Sequence, residues 1–234
     1  MADPDGAQAA IVWPGGRAEL LYDRFKQCII DRLWLPGQAL NIDRLARQYD
    51  VSITPVREAL ARLSADRLVV AIPNRGYTVA PPPTVDRLAE LFTVRLLLEP
   101  HAARGAAQRI EPRDLDELRA IHDAIAINGA GDDYDGRRSY SARNRAFHEL
   151  IFRANANEVL IEIYGHLHYH VLIEHVFHTS GVTDVPEVVA EHGAILDALA
   201  VRDSDAAELA MRLHIERGSR RMLEIYRVAS VPNR

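Results

Sequence analysis

The chain has 234 residues, 48% hydrophobic and 26% charged, the balance of a soluble globular protein with room for one large or two modest cores. A net charge of −5 excludes a uniformly basic nucleic-acid binder, no apolar run approaches the roughly 20 residues of a membrane span, and the one cysteine, Cys28, excludes an internal disulfide and suits a reducing cytoplasm. The charge is uneven, however: residues 17–80 carry a net +3 and residues 81–234 a net −6, so the first part can meet phosphates while the second stays acidic.

Residues 1–16 hold Asp3 and Asp5, no basic residue and no long apolar stretch, and read as a loose tail rather than a signal peptide. Leu20, Leu21, Phe25, Cys28, Ile29 and Leu33 recur at helical spacing and predict a helix over 17–33, stopped by Pro36-Gly37. Asn41 can cap a second helix, 42–49, with Ile42, Leu45 and Ala46 inward. A turn at residues 50–52 leads to a third helix, about 54–66, where Pro55 fits the first turn and Ser52 or Thr54 the cap. Short apolar runs at 69–72 and 77–79, around Pro73-Asn74-Arg75-Gly76, predict a small hairpin. Pro81-Pro82-Pro83 then reads as a linker. Beyond it the pattern is helical nearly throughout: Leu88 to Glu99, Leu115 to Ile125, then 140–154, 157–178, 186–201 and 204–228, with a glycine-rich loop at 128–139. The predicted fold is mostly α: a tail (1–16), a winged helix-turn-helix DNA-binding domain (17–80), a linker (81–84) and an all-α bundle (85–230).

Helix, helix, turn, helix, hairpin is the order of a winged helix-turn-helix, whose third helix enters the DNA major groove N-terminus first. Ser52, Thr54 and the free amides around Pro55 can bond phosphate, because a helix N-terminus favours anions. Arg57 can reach a guanine edge or a phosphate, and Arg62 and Arg47 are further candidate contacts. Arg75 and Gly76 form the wing, glycine permitting a tight turn. The competing reading is a solvated amphipathic helix whose charges are only surface. Over 17–80, Pro36-Gly37, Leu45-Ala46, Val51-Ser52, Thr54-Pro55-Val56-Arg57-Glu58-Ala59-Leu60, Leu63 and Gly76 resemble the DNA-binding domain of GntR-family transcription regulators. The departure is Ile53, where the family usually has arginine; one lost bidentate base contact is worth about 1–3 kcal/mol of discrimination.

In the helical part, Asn144 and His148 share a helix face, and His192 and His214 lie on two other helices. Three imidazoles and an oxygen could form a metal site in a bundle core, although scattered histidines are more often surface or satisfied core groups. A rival cluster is His166 and His170 with His168, His175 and His178, which cannot all converge. The segments VRLLLEPHAARGAA, NRAFHELIFRANANEVL, AEHGAILDALAVRD and LHIERG resemble, over about 84–225, the all-helical effector-binding FCD domain of the FadR-like branch. The resemblance implies Asn144, His148, His192 and His214 as ligands of a divalent metal (zinc, or else nickel or manganese), with Asn144 replacing the usual aspartate. It also implies that Arg95 faces the pocket and grips a carboxylate effector, against an intrahelical pair with Glu99. The expected function is a homodimeric, cytoplasmic repressor on a palindromic operator, controlled by a small organic acid, with no membrane partner and no catalysis. The alternatives are a metal sensor without an organic effector and a three-histidine zinc hydrolase. Glu149 and Glu191 adjoin the ligands in sequence and are expected to point aside.

Overall fold

A computed structural model describes residues 16–30, 33–73, 75–81, 84–131, 134–167 and 184–229. The chain divides into two compact units, residues 1–81 and 82–234.

In the first unit, α1 (Arg17–Ile30), α2 (Ile42–Gln48) and α3 (Ile53–Ala65) pack beside a small sheet. Phe25 of α1 is fully buried between Trp34 and Tyr49, with ring centroids 5.1 and 5.3 Å away. Val56, Ala59, Leu60 and Leu63 of α3 face inward with no exposure. Burying one such leucine contributes about 1.5–3 kcal/mol. Asn41 caps α2 as expected, its side chain accepting from the Arg44 amide at 2.8 Å. Helix α1 ends earlier than its periodicity suggests: Leu33 is exposed and Trp34 bends back, its amide reaching the Cys28 carbonyl at 3.0 Å.

The expected hairpin forms from β2 (Val69–Ile72) and β3 (Gly76–Val79), in the register Val69 to Val79 and Ile72 to Gly76. A further strand, β1 (Ala39–Leu40), pairs with the other edge of β3 and makes the sheet three-stranded, in the order β1-β3-β2. Two residues are too short to show alternation in sequence. Gly37, at φ +79°, turns the chain so that its amide meets the Val79 carbonyl at 2.9 Å.

The second unit is helical throughout its described residues: α4 (Val85–Arg109), α5 (Pro112–Asn128), α6 (Tyr134–Asn155), α7 (Glu158–His166), α8 (Val185–Ala200) and α9 (Ser204–Ala229). Thr84 caps α4, accepting from the Arg87 amide at 3.1 Å. Helix α4 packs most extensively against α9, and Ala102, Ala103, Ala106 and Ala107, all unexposed, let the neighbouring helices approach. Two boundaries differ from the sequence expectation. Helix α6 begins at Tyr134, inside the expected 128–139 loop, because Tyr140 is buried in the core and the helical ladder continues two turns before it despite Gly136. The expected 157–178 helix closes its first segment at His166, and residues 168–183 lie outside the described ones.

Candidate metal centre and nucleic-acid interface

Helix α3 starts one residue before the expected position, with Ser52 as N-cap. The Ser52 side chain makes no capping bond. Thr54 and Arg57 are exposed and Pro55 half-buried, all on the first two turns. Ile53, at 43% exposure, is no core residue; it presents an apolar surface where the family pattern has arginine. Arg47 is exposed on α2 and its Nε donates to the Asp43 carbonyl at 3.3 Å. Arg62 has a local partner that spacing could not show: its guanidinium sits 4.3 Å from the Tyr22 ring centroid, and the Tyr22 hydroxyl donates to Asp66. Desolvation, and then the Asp66 carboxylate, raise the Tyr22 hydroxyl well above its ordinary range. Arg75 is exposed at the wing turn, its amide bonded to the Ile72 carbonyl at 3.0 Å. Gly76 has φ +89°, and a Cβ there would stand 3.2 Å from the Leu40 carbonyl oxygen. Its first requirement is the close approach of β1, rather than of DNA.

In the helical unit, α6, α8 and α9 bring His148, His192 and His214 together, all buried, with candidate ligand atoms within 4.8 Å of one another. His214 Nε2 and His148 Nε2 are 3.3 Å apart. Two nitrogens on one tetrahedral zinc, each about 2.0–2.1 Å from it, stand about 3.3 Å apart. His192 is fully buried, stacks on Phe147 at 4.0 Å between centroids, and neither ring nitrogen has a hydrogen-bond partner among the described residues. A buried imidazole with two orphaned nitrogens is costly unless a cation takes one of them. His122, by contrast, is a satisfied histidine, with Nε2 3.1 Å from the Val189 carbonyl. Asn144 lies one turn before His148 and lines a small cavity, about 40 Å³, beside His214. The donor set therefore fits a divalent metal with imidazole preference. Of the rival cluster, the side chain of His166 and all of His168, His170, His175 and His178 lie outside the described residues.

Burial disfavours the charged form of His192 and His214, while the carboxylates Glu99 and Glu191 beside the cluster stay ionised. Burial drives His192 well below the usual histidine range, with His214 and His148 adding to the shift. Burial also pushes His214 down to about 4, against the opposing hydrogen bond from Glu191. Burial raises the Glu99 carboxyl, but Arg95 and His148 outweigh it and hold it at about 2. Glu191 is likewise held at about 2, with Arg221 and His214 overcoming desolvation.

Arg95 forms the intrahelical pair with Glu99 and also lines a cavity. It is buried, its Nε donates to Glu99 one turn on, and it lines the cavity with Asn144, Tyr140 and Arg221. Glu191 does not point aside: at 7% exposure it takes His214 Nδ1 at 2.8 Å and both Nη groups of Arg221 at 2.8 and 2.9 Å. Glu149 is at the surface, 3.6 Å from Arg145. Among the described residues the carboxylates beside the histidines, Glu99 and Glu191, are both engaged by arginines, which leaves the hydrolase alternative without a free base there. Sequence reading missed Glu99, Glu191, Arg221 and Asp184 as parts of this site. Their only signal was the i, i+4 spacing of Arg95 and Glu99.

The description "Bacterial regulatory proteins, gntR family" matches residues 17–79, and the FCD domain matches residues 90–217. The chain is 28% identical over 223 residues to the galactonate operon transcriptional repressor of Escherichia coli (strain K12), covering 84% of this chain and 93% of that protein. It is 28% identical over 229 residues to the Uxu operon transcriptional regulator of the same organism, covering 88% and 86%. Among solved structures, E. coli McbR/YncC superposes with a TM-score of 0.69 at 22% identity, over 91% of this chain and 99% of that one. A GntR transcriptional regulator from Rhodococcus sp. RHA1 gives 0.69 at 24% identity, over 89% and 98%. Those two likenesses show the fold. With both halves matched in order, the chain belongs to the GntR family of DNA-binding transcription regulators, carries the FCD domain behind its winged helix, and is not an enzyme.

Proposed function

We propose that this regulator is a cytoplasmic, homodimeric repressor whose operator affinity is set by a small organic acid bound beside a divalent metal in the helical unit. The observation that carries the reading is His192, fully buried with two unpartnered nitrogens, facing two histidines already at metal-ligand separation. His148, His192 and His214 would hold the ion and Asn144 would offer a neutral amide oxygen. A bound divalent ion supplies a positive centre that attracts a carboxylate. Arg95 and Arg221 line the adjoining cavity and add positive potential there that suits an anion. At about 40 Å³ the cavity takes about three waters, so it must widen for an acid of several carbons. Ser52, Thr54, Pro55 and Arg57 would meet one half-site, with Arg47, Arg62 and Arg75-Gly76 at its flanks; a two-fold dimer reads a palindrome. The likeness to the galactonate operon transcriptional repressor supports repression.

Footprinting on DNA from upstream of its own gene tests the reading. A protected palindrome at moderate salt, released by metal with one of a panel of small carboxylic acids, is the expected result. No protected site refutes it. Release by metal alone favours the second reading, a metal sensor, which the same orphaned histidine supports.

A further inference from the structure

Two histidines of the cluster have a carboxylate against their outer nitrogen, and each carboxylate is held by an arginine. His214 Nδ1 donates to Glu191 Oε2 at 2.8 Å, and Arg221 donates to both oxygens of Glu191, at 2.8 and 2.9 Å. Arg221 is anchored in turn by Asp184, which accepts from its Nε at 2.5 Å. On the opposite side, Glu99 Oε2 lies 2.7 Å from His148 Nδ1 and its other oxygen accepts from Arg95 Nε. His192 has no such support among the described residues and stacks on Phe147.

We propose that Glu191, anchored by Arg221, is a positioning residue for a divalent cation: it keeps the His214 proton on Nδ1, so that the Nε2 lone pair faces the ion, and Glu99 with Arg95 does the same for His148. The inference rests on the metal-binding reading above and extends it to four residues that do not touch the ion. A carboxylate on the far nitrogen fixes the tautomer and ring direction and raises the basicity of the ligand. His214 Nδ1 is hydrogen-bonded to Glu191, and His148 Nδ1 lies 2.7 Å from Glu99 Oε2, so both Nε2 atoms face each other, at 3.3 Å, the separation of two ligands on one cation.

The substitution at residue 144 gives these carboxylates a second task. Three neutral imidazoles and an amide bring no negative charge to the ion. The carboxylates nearest the histidines, among the described residues, are Glu99 and Glu191, and the arginines restrain both from swinging inward to become ligands. Glu99, Glu191 and Asp184 set against Arg95 and Arg221 leave one net negative charge in this outer layer, so a divalent cation keeps a net positive charge.

The test is a titration of the full-length protein with Co²⁺, followed by visible absorption, and with Zn²⁺ in competition with a chelator. Glu191→Ala is expected to weaken metal binding about 10- to 100-fold. Glu191→Gln, which keeps an acceptor for Nδ1, should lose less. Arg221→Gln should weaken binding several-fold; its side chain is 23% exposed, so this variant reports on the same relay even where Glu191→Ala does not fold. In the long-range ¹H–¹⁵N spectrum of the metal-free protein, His214 should show its proton on Nδ1 in the wild type and lose that signature in Glu191→Ala. A merely structural Glu191 would lower Tm and leave affinity and tautomer alone. Affinities within twofold of wild type for Glu191→Ala and Arg221→Gln, while His192→Ala binds weakly, overturn the relay and leave the metal site standing. Wild-type binding by His148→Ala, His192→Ala and His214→Ala overturns both.

Discussion

Acidifying the metal-free protein is expected to destabilise the helical unit well before its carboxylates titrate. The folded state keeps His214 neutral down to about pH 4, whereas the unfolded chain takes up that proton near 6.5. Burial depresses His192 in the same direction. Between those values the unfolded state binds more protons, so stability is fully present above pH 6.5 and falls as the pH drops. His214 contributes a slope of about 1.4 kcal/mol per pH unit. From pH 6.5 to 4.5 it removes about 2 kcal/mol, and His192 adds to the loss. For a unit of this size His214 alone lowers Tm by about 4–8 °C. Glu99 and Glu191, held at about 2, add their own loss only below pH 4.5, where the unfolded carboxylates begin to protonate. The assay is thermal unfolding by circular dichroism, with chelator, at half-unit pH steps. A Tm that moves by less than about 3 °C between pH 6.5 and 4.5 refutes the reasoning, because two depressed histidines cannot give so flat a profile. Metal at a thousandfold excess over Kd should add back about 4 kcal/mol at pH 7.5.

Arg57→Ala should weaken operator binding by about 1–3 kcal/mol, roughly 10- to 100-fold, and flatten the salt dependence where the contact is to phosphate; fluorescence anisotropy at three salt concentrations reads both. Asn144→Asp should tighten Zn²⁺ binding, because it adds a charged oxygen one turn before His148, while reducing the pull on anions; calorimetry of metal, then of acid, separates the two. Gly76→Ala places a Cβ 3.2 Å from the Leu40 carbonyl at a φ of +89°, so it should cost about 1–3 kcal/mol and loosen the wing, seen as faster amide exchange across β1 and β3.

The residues that show themselves in the sequence act over short distances along the chain. Asn41, Thr84 and the 3.6-residue periodicity of α1, α3, α4 and α9 specify helices from local contacts and caps alone. The four-residue step from Asn144 to His148 puts both on one face for the same reason. The resemblance carried over to His192 and His214 then named a set that the fold does assemble around His148, since all three rings share one buried pocket.

Other features have no local signature. β1 exists only because β3 offers it an edge. Arg62 looks like a free cation on a helix surface until α1 brings Tyr22 beneath it. Glu191 adjoins His192 in the chain yet serves His214, because the rotation of α8 about its axis turns consecutive side chains about 100° apart. Periodicity could decide which residues form helices and which faces are buried, and the sequence pattern could decide the family. Only packing could decide which carboxylate meets which imidazole. That pairing depends on helix rotation and axial offset, quantities set by side chains as far apart along the chain as Arg104 and Glu208.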